Sequence, residues 1–204
     1  MNTLKKLRLG RSNVICAAHK GGAGKTLLAL SLFDALKCRG IDVGLVEHDL
    51  QGTIAQADML GGRHKLDEPS SVRDLKVHDL PPYPSPSSIY LFEQARKNSE
   101  KTTILIPLKA SDNDLFSLNS LVELIDNHEL LSRAVVVFNE VRQPHTKIFK
   151  QIKQNLKMNF PELRVARTEL SNLVGFRKVL REPLTTKAAA QISSLLDEVV
   201  PLGK

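Results

Sequence analysis

Apolar residues recur along the chain in two rhythms. Short unbroken runs, Val14-Ile15-Cys16-Ala17-Ala18, Val43-Gly44-Leu45-Val46, Thr103-Ile104-Leu105-Ile106-Pro107 and Ala134-Val135-Val136-Val137-Phe138, have the length and composition of strands buried on both faces. Between them the spacing changes to three and four. Leu27, Leu28, Leu30, Phe33 and Leu36 form one such series, stopped by Gly40. Leu115, Leu118, Val122 and Ile125 form another, and Ile148, Phe149, Ile152 and Leu156 a third. Each is the one-sided stripe of an amphipathic helix. Buried strands alternating with helices predict an α/β domain, a mostly parallel twisted sheet with helices on both faces.

Weaker patterns fill the intervals. A short helix is expected from Ile54 to Leu60, before Gly61-Gly62, and a strand from Ser71 to Asp79 that is more charged than a central parallel strand should be. Pro81, Pro82, Pro84 and Pro86 read as a stiff non-helical segment ahead of a helix from Ser88 to Asn98. Ser111 with Asp114 has the form of a capping box with Asp in place of Glu. Leu163 to Arg167 reads as the last strand and Lys187 to Val200 as the last helix. The organisation expected is a basic tail, residues 1–12, with Lys5, Lys6, Arg8 and Arg11, followed by a single domain over 13–204. The tail reads as a mobile segment or as a contact to DNA or membrane.

The first strand runs into His19-Lys20-Gly21-Gly22-Ala23-Gly24-Lys25-Thr26, and helical spacing follows at once. Glycines let the backbone turn its N–H groups inward at phosphate oxygens, and the helix start adds its partial positive charge. In such a loop Lys25 reaches the β- and γ-phosphates, and the Thr26 hydroxyl binds Mg²⁺. Lys20 is a second cation at the mouth of the loop, and two lysines so close repel unless a polyanion lies between them. The general pattern G-x-x-x-x-G-K-[ST] would place a glycine where His19 stands.

Lys20-Gly21-Gly22-Ala23-Gly24-Lys25-Thr26 resembles the deviant Walker A signature K-G-G-x-G-K-[ST] of the ParA/MinD ATPase family. The resemblance implies a P-loop NTPase fold, ATP and Mg²⁺ as ligands, phosphate contacts along residues 21–27, and a homodimer that sandwiches the nucleotide. In that dimer Lys20 would touch the partner's ATP. Leu27 stands where the ParA version commonly has a second threonine, which leaves the phosphate contacts intact.

Glu47-His48-Asp49-Leu50-Gln51 resembles the family's D-x-D-P-Q motif, whose acids sit near Mg²⁺ and the attacking water. Asp49 and Gln51 match, Glu47 replaces the first aspartate and Leu50 the proline. Glu47 is one methylene longer, so its carboxylate is expected about an ångström out of place, enough to slow hydrolysis. The catalytic set implied is Lys20, Lys25, Glu47 and Asp49. Asp79, before Leu80-Pro81-Pro82, resembles the Walker B aspartate and switch, which makes Thr26, Asp49 and Asp79 the metal set. The rival assignment makes Glu47 or Asp49 the Walker B acid and the Asp79 turn a plain loop. Asn139 matches the strand-end Asn that hydrogen-bonds adenine in the family, and the turn from Thr168 to Leu170 would close over the base. Glu140-Val141-Arg142 does not continue into the N-K-x-D pattern of guanine-specific GTPases, which favours ATP.

At 204 residues, 42% hydrophobic and 25% charged, the chain has enough for a full core. Cys16 and Cys38 give neither a metal spacing nor a disulfide framework, and no apolar run reaches about 18 residues. A signal-peptide core is absent from the sequence, so a cytoplasmic protein is expected, and the resemblance implies association with the nucleoid. The net charge is +7, and residues 142–187 hold eleven Lys and Arg against three Glu, so the rest is nearly neutral.

Along the helix from His145 to Lys157, Lys147, Lys150, Lys153 and Lys157 share one face, and Arg164, Arg167, Arg177, Lys178 and Arg181 follow. A lysine face is either ordinary solvated surface or a polyanion site, and the further group favours nonspecific DNA binding. Phe176-Arg177-Lys178 also resembles a stretch of ParA proteins. The expected function is thus a ParA-like partition or positioning ATPase with a ParB-like or other cargo adaptor that stimulates hydrolysis, and no stable membrane anchor. The alternatives are an ATP-dependent synthetase on the same scaffold and a weakly hydrolysing nucleotide switch.

Overall fold

The computed structural model describes residues 11–49, 51–82, 85–109, 111–142, 147–172, 176 and 178–200, with only the backbone at 112–114 and 148. The expected contacts of Lys5, Lys6, Arg8, Leu50, Pro84 and Arg177, and the side chain of Asp114, lie outside the described residues.

Six strands form one sheet: β1 (Ser12–Cys16), β2 (Val43–Glu47), β3 (Leu75–Asp79), β4 (Thr102–Lys109), β5 (Ala134–Asn139) and β6 (Arg164–Val165). Their order is β2-β3-β1-β4-β5-β6, and every pairing is parallel. Among the described residues six α-helices connect or cover them: α1 (Lys25–Cys38), α2 (Thr53–Met59), α3 (Pro86–Arg96), α4 (Asp112–Asn127), α5 (Lys147–Asn159) and α6 (Thr186–Val199). Residues of α1 and α6 build one core against Val14, Cys16, Leu45 and Val77, while those of α3, α4 and α5 build the other against Ile15, Ile104, Ile106 and Val136. Alternate residues of a strand serve opposite cores, which is why these runs are apolar throughout.

Strand β1 is central, and the chain leaves it toward β2 on one side and later crosses to β4 on the other. A crevice therefore opens beyond its carboxyl end, where open α/β sheets bind ligands. Register puts three residues in one row there, Cys16 opposite Asp79 and Asp79 opposite Glu47.

Three expectations shift. The strand expected from Ser71 begins only at Leu75. Helix α3 begins at Pro86, not Ser88: Ser85 caps it, its hydroxyl accepting the Ser88 N–H, and proline is well suited to a first helical position. The last strand shortens to two residues on the sheet edge. The charge of β3 is accounted for by its partners. Lys76 is fully buried and donates to the Pro69 carbonyl at 3.0 Å, and His78 lies between His48 and Asn13 at 3.0 and 3.2 Å. A buried polar side chain is tolerated when it is hydrogen-bonded.

Candidate phosphate-binding site

The loop after β1 turns through two left-handed glycines, Gly22 at φ 76° and Gly24 at φ 98°. Gly24 is also the N-cap of α1, and it supplies no side chain to that helix's open N–H groups. A Cβ on Gly24 would come within 2.0 Å of the Asn139 amide nitrogen, so close approach as well as φ requires glycine. Gly21 and Gly22 are exposed, Ala23 is buried and Leu27 packs its side chain against the core.

Lys25 is only 6% exposed. Burial lowers its pKa, while the charges of Asp79 and Asp49 pull it back up. Thr26 donates its hydroxyl to Asp79 Oδ2 at 2.7 Å, and Asp79 is 1% exposed. Burial raises the Asp79 carboxyl to about 7, against the pull of Thr26 and Lys25, with Glu47 and Asp49 pushing it further up. Asp79 Oδ1 has no hydrogen-bond partner among the described residues. A buried carboxylate oxygen left over beside a threonine hydroxyl is a pair of oxygen donors that fits a magnesium ion. Lys20 lies on the rim, half-buried, beside Ala23 and Leu108.

Several expected site residues are engaged differently from the sequence reading. Glu47 lies in the row with Asp79, but its carboxylate oxygens accept the backbone N–H groups of Ile54 and Ala55 at 2.8 and 3.0 Å. Asp49 accepts the Gln51 N–H at 2.9 Å in a tight turn. Asn139 is buried, donates to the Ala23 carbonyl at 3.1 Å and accepts the Glu140 N–H, so its amide braces the loop. Thr168 gives both its N–H and its hydroxyl to Glu198, each at 3.0 Å, so its polar groups serve helix α6. Residues beyond it still run beside the site, since Leu170 N–H bonds to Phe138 and Val141 N–H to Leu170.

On the basic side, Lys147, Lys150, Lys157, Arg164, Arg167, Lys178 and Arg181 are exposed. Lys153 departs from the expected face. Its amine pairs with Glu169 and lies over the rings of Phe138 and Phe149, so packing and an ion pair hold it. Lys178 pairs with Glu182 four residues on.

The sequence reading missed the polar chain of His48, His78 and Asn13, both imidazoles of which are pushed down in pKa first by burial, His48 to about 4. It also missed Glu198. The signal available was the alternation in β3, where Lys76 and His78 share one face and Val77 and Asp79 the other.

A central strand, a glycine loop, a helix whose first residue is a buried lysine, and a threonine paired with a strand-end aspartate form a nucleotide site. Residues 14–180 match the family model described as the CobQ/CobB/MinD/ParA nucleotide binding domain. The chain belongs to that family. No curated protein matches it by sequence.

Solved structures share its fold at low identity. A variant of Cyanothece McdA in complex with ATP is 14% identical, with a TM-score of 0.65 over 91% of this chain and 95% of that one. A plasmid partition protein from Borrelia burgdorferi is 16% identical, with a TM-score of 0.58 over 91% and 99%. Cobyrinic acid a,c-diamide synthase from Mycobacterium smegmatis, with bound ATP analog and magnesium, is 15% identical, with a TM-score of 0.69 over 91% and 92%. Among the described residues no helix is long and apolar enough to cross a membrane.

Proposed function

We propose that this nucleotide-binding domain is a ParA-like ATPase whose ATP-bound form is a homodimer that grips DNA without reading sequence, for partition of DNA or positioning of cargo. The observation that carries the reading is the contrast between its two loop lysines. Lys25 is buried against Asp79, while Lys20 stays on the rim. Lys25 suffices for a nucleotide held by one subunit, and a second lysine on the rim suits a phosphate approached from a second subunit. The basic surface of α5 and the segments after it supplies a reason to dimerise, because two copies double the phosphate contacts.

Thr26 and Asp79 would hold Mg²⁺, which when bound neutralises charge on the β- and γ-phosphate oxygens. The loop N–H groups and Lys25 hold the phosphates and stabilise the charge that moves during transfer. Asp49, whose charge acts on both Lys25 and Asp79, orients the attacking water. Lys20 acts on the partner's nucleotide as a point charge, without the bidentate fork of an arginine. A cargo-bound adaptor then stimulates hydrolysis and releases the dimer from the nucleoid.

The test is DNA binding measured with ATP, with ADP and without nucleotide. Binding that needs ATP is the expected result, and binding indifferent to nucleotide, or none, removes the switch. Lys20→Gln separates the two lysines: ATP binding by the monomer persists and the ATP-dependent dimer is lost, as read by sedimentation.

One observation favours a second reading, an ATP-dependent amide-forming synthetase. The cobyrinic acid a,c-diamide synthase structure superposes over 91% of this chain. Such an enzyme needs an acceptor pocket, and the link of 52–70 leaves little chain to build one. ATP consumption that depends on a small carboxylate and not on DNA would select this reading.

A further inference from the structure

Helix α2 opens on Gly52, at φ 60°, and has no capping side chain of its own. Its second and third N–H groups, from Ile54 and Ala55, are the ones a cap normally serves. Both are taken by Glu47, from the end of β2, at 2.8 and 3.0 Å. The described residues of the intervening turn are held by hydrogen bonds. His48 N–H bonds to the Asp79 carbonyl at 2.9 Å, Gly52 N–H to the Asp49 carbonyl at 3.0 Å, and the Gln56 side chain to the Gln51 carbonyl at 2.6 Å. Asp49 sits inside this turn, and its charge acts on Lys25 and Asp79.

We propose that Glu47 is a positioning residue: its carboxylate clamps α2 onto the carboxyl end of β2 and so fixes the Asp49 turn against the phosphate site. The length of the side chain is then its purpose. An aspartate carboxylate would sit about 1.5 Å nearer its own backbone, one C–C bond. That would open both contacts beyond hydrogen-bonding range. The methylene that looks like a catalytic defect in the sequence is what lets the carboxylate reach α2. The effect on turnover rests on the ATPase reading above, whereas the clamp itself does not.

Three substitutions separate a clamp from an acid acting on water. Glu47→Gln keeps the reach and one acceptor oxygen, Glu47→Asp keeps the charge and loses the reach, and Glu47→Ala loses both. Hydrogen exchange at the Ile54 and Ala55 amides is measured in the nucleotide-free proteins, with the Val14 and Ile104 amides as a check on folding. Glu47→Asp is expected to speed exchange at the two α2 amides about tenfold, as loss of a helix cap does. The β1 and β4 amides stay protected, and Glu47→Gln changes less.

Single-turnover hydrolysis of MgATP follows the same order. The rate falls roughly ten- to a hundredfold in Glu47→Asp, with half-saturating ATP moved by less than about threefold, and Glu47→Gln retains more of the rate than Glu47→Asp. Native-like or faster hydrolysis by Glu47→Asp beside an inactive Glu47→Gln overturns the proposal, as does unchanged exchange at Ile54 and Ala55 in Glu47→Asp. Should the native chain hydrolyse no ATP, the ATPase reading fails and the exchange measurement alone decides the clamp.

Discussion

At the scale of single residues the site is under electrostatic tension that its ligands would relieve. Asp79, with its carboxyl raised to about 7 mainly by burial, favours its protonated form below that pH in the folded protein. The folded state then binds more protons than the unfolded chain between the ordinary aspartate value and 7. Stability of the ligand-free protein therefore falls as pH rises through that window and levels off above it. Between pH 5 and pH 8 this one group removes about 2 to 3 kcal/mol.

Asp79→Asn imitates the protonated form and should stabilise the protein in EDTA at pH 8 by more than at pH 5, read by urea unfolding, while magnesium-dependent nucleotide binding is lost. An equal effect at both pH values would sink the argument. Little of this was legible beforehand. The sequence marks Asp79 as a strand-end acid, but its burial depends on Thr26 and Lys25 closing over it from 53 and 54 residues away. Lys76 and His78 show the same limit. Their charge argues against a central strand until Pro69, His48 and Asn13 supply partners.

Elements were more legible than their attachments. The phosphate loop, β1 and α1 follow directly from glycine spacing and apolar rhythm, because that chemistry is local. The attachment of α6 to the loop after β6 is not local, and no spacing announces it. Glu198 accepts the N–H groups of Arg167 and Thr168 and the Thr168 hydroxyl, and Gln191 holds Ser171 through its backbone and side chain. Burial alone would raise the Glu198 carboxyl, but these donors and the charge of Arg167 outweigh it and hold it below the usual range. Glu198→Ala leaves two backbone N–H groups of the 166–168 loop without their acceptor and should cost about 1 to 3 kcal/mol in urea unfolding. A depressed carboxyl stabilises above the ordinary carboxylate range and ceases to as pH falls through its folded value. The difference between native protein and Glu198→Gln should therefore shrink on acidification. A gap that widens toward acid would refute the assignment of this carboxylate as the acceptor.

At the scale of the molecule, charge and fold divide the labour. Sheet order puts the nucleotide crevice at the carboxyl end of β1, while the surplus of Lys and Arg lies in residues 142–187, on α5 and the segments beyond it. Sequence periodicity places four lysines on one face of α5, and in the structure they differ in exposure. Lys153 is spent on Glu169 and two aromatic rings, so Lys147, Lys150 and Lys157 remain as the exposed set. Periodicity reports direction around a helix axis and nothing of what a long side chain folds back onto.

The division gives a quantitative test of the dimer. Each lysine that neutralises one phosphate contributes about 0.9 to the slope of log affinity against log salt. In a symmetric ATP-bound dimer a single substitution removes two such contacts. Lys150→Ala should lower the magnitude of the slope by about 2, where a monomer would lose about 1. Lys153→Ala should leave the slope unchanged and destabilise the fold instead. A slope indifferent to Lys150, or equally sensitive to Lys153, would remove α5 from the DNA interface whatever the nucleotide state.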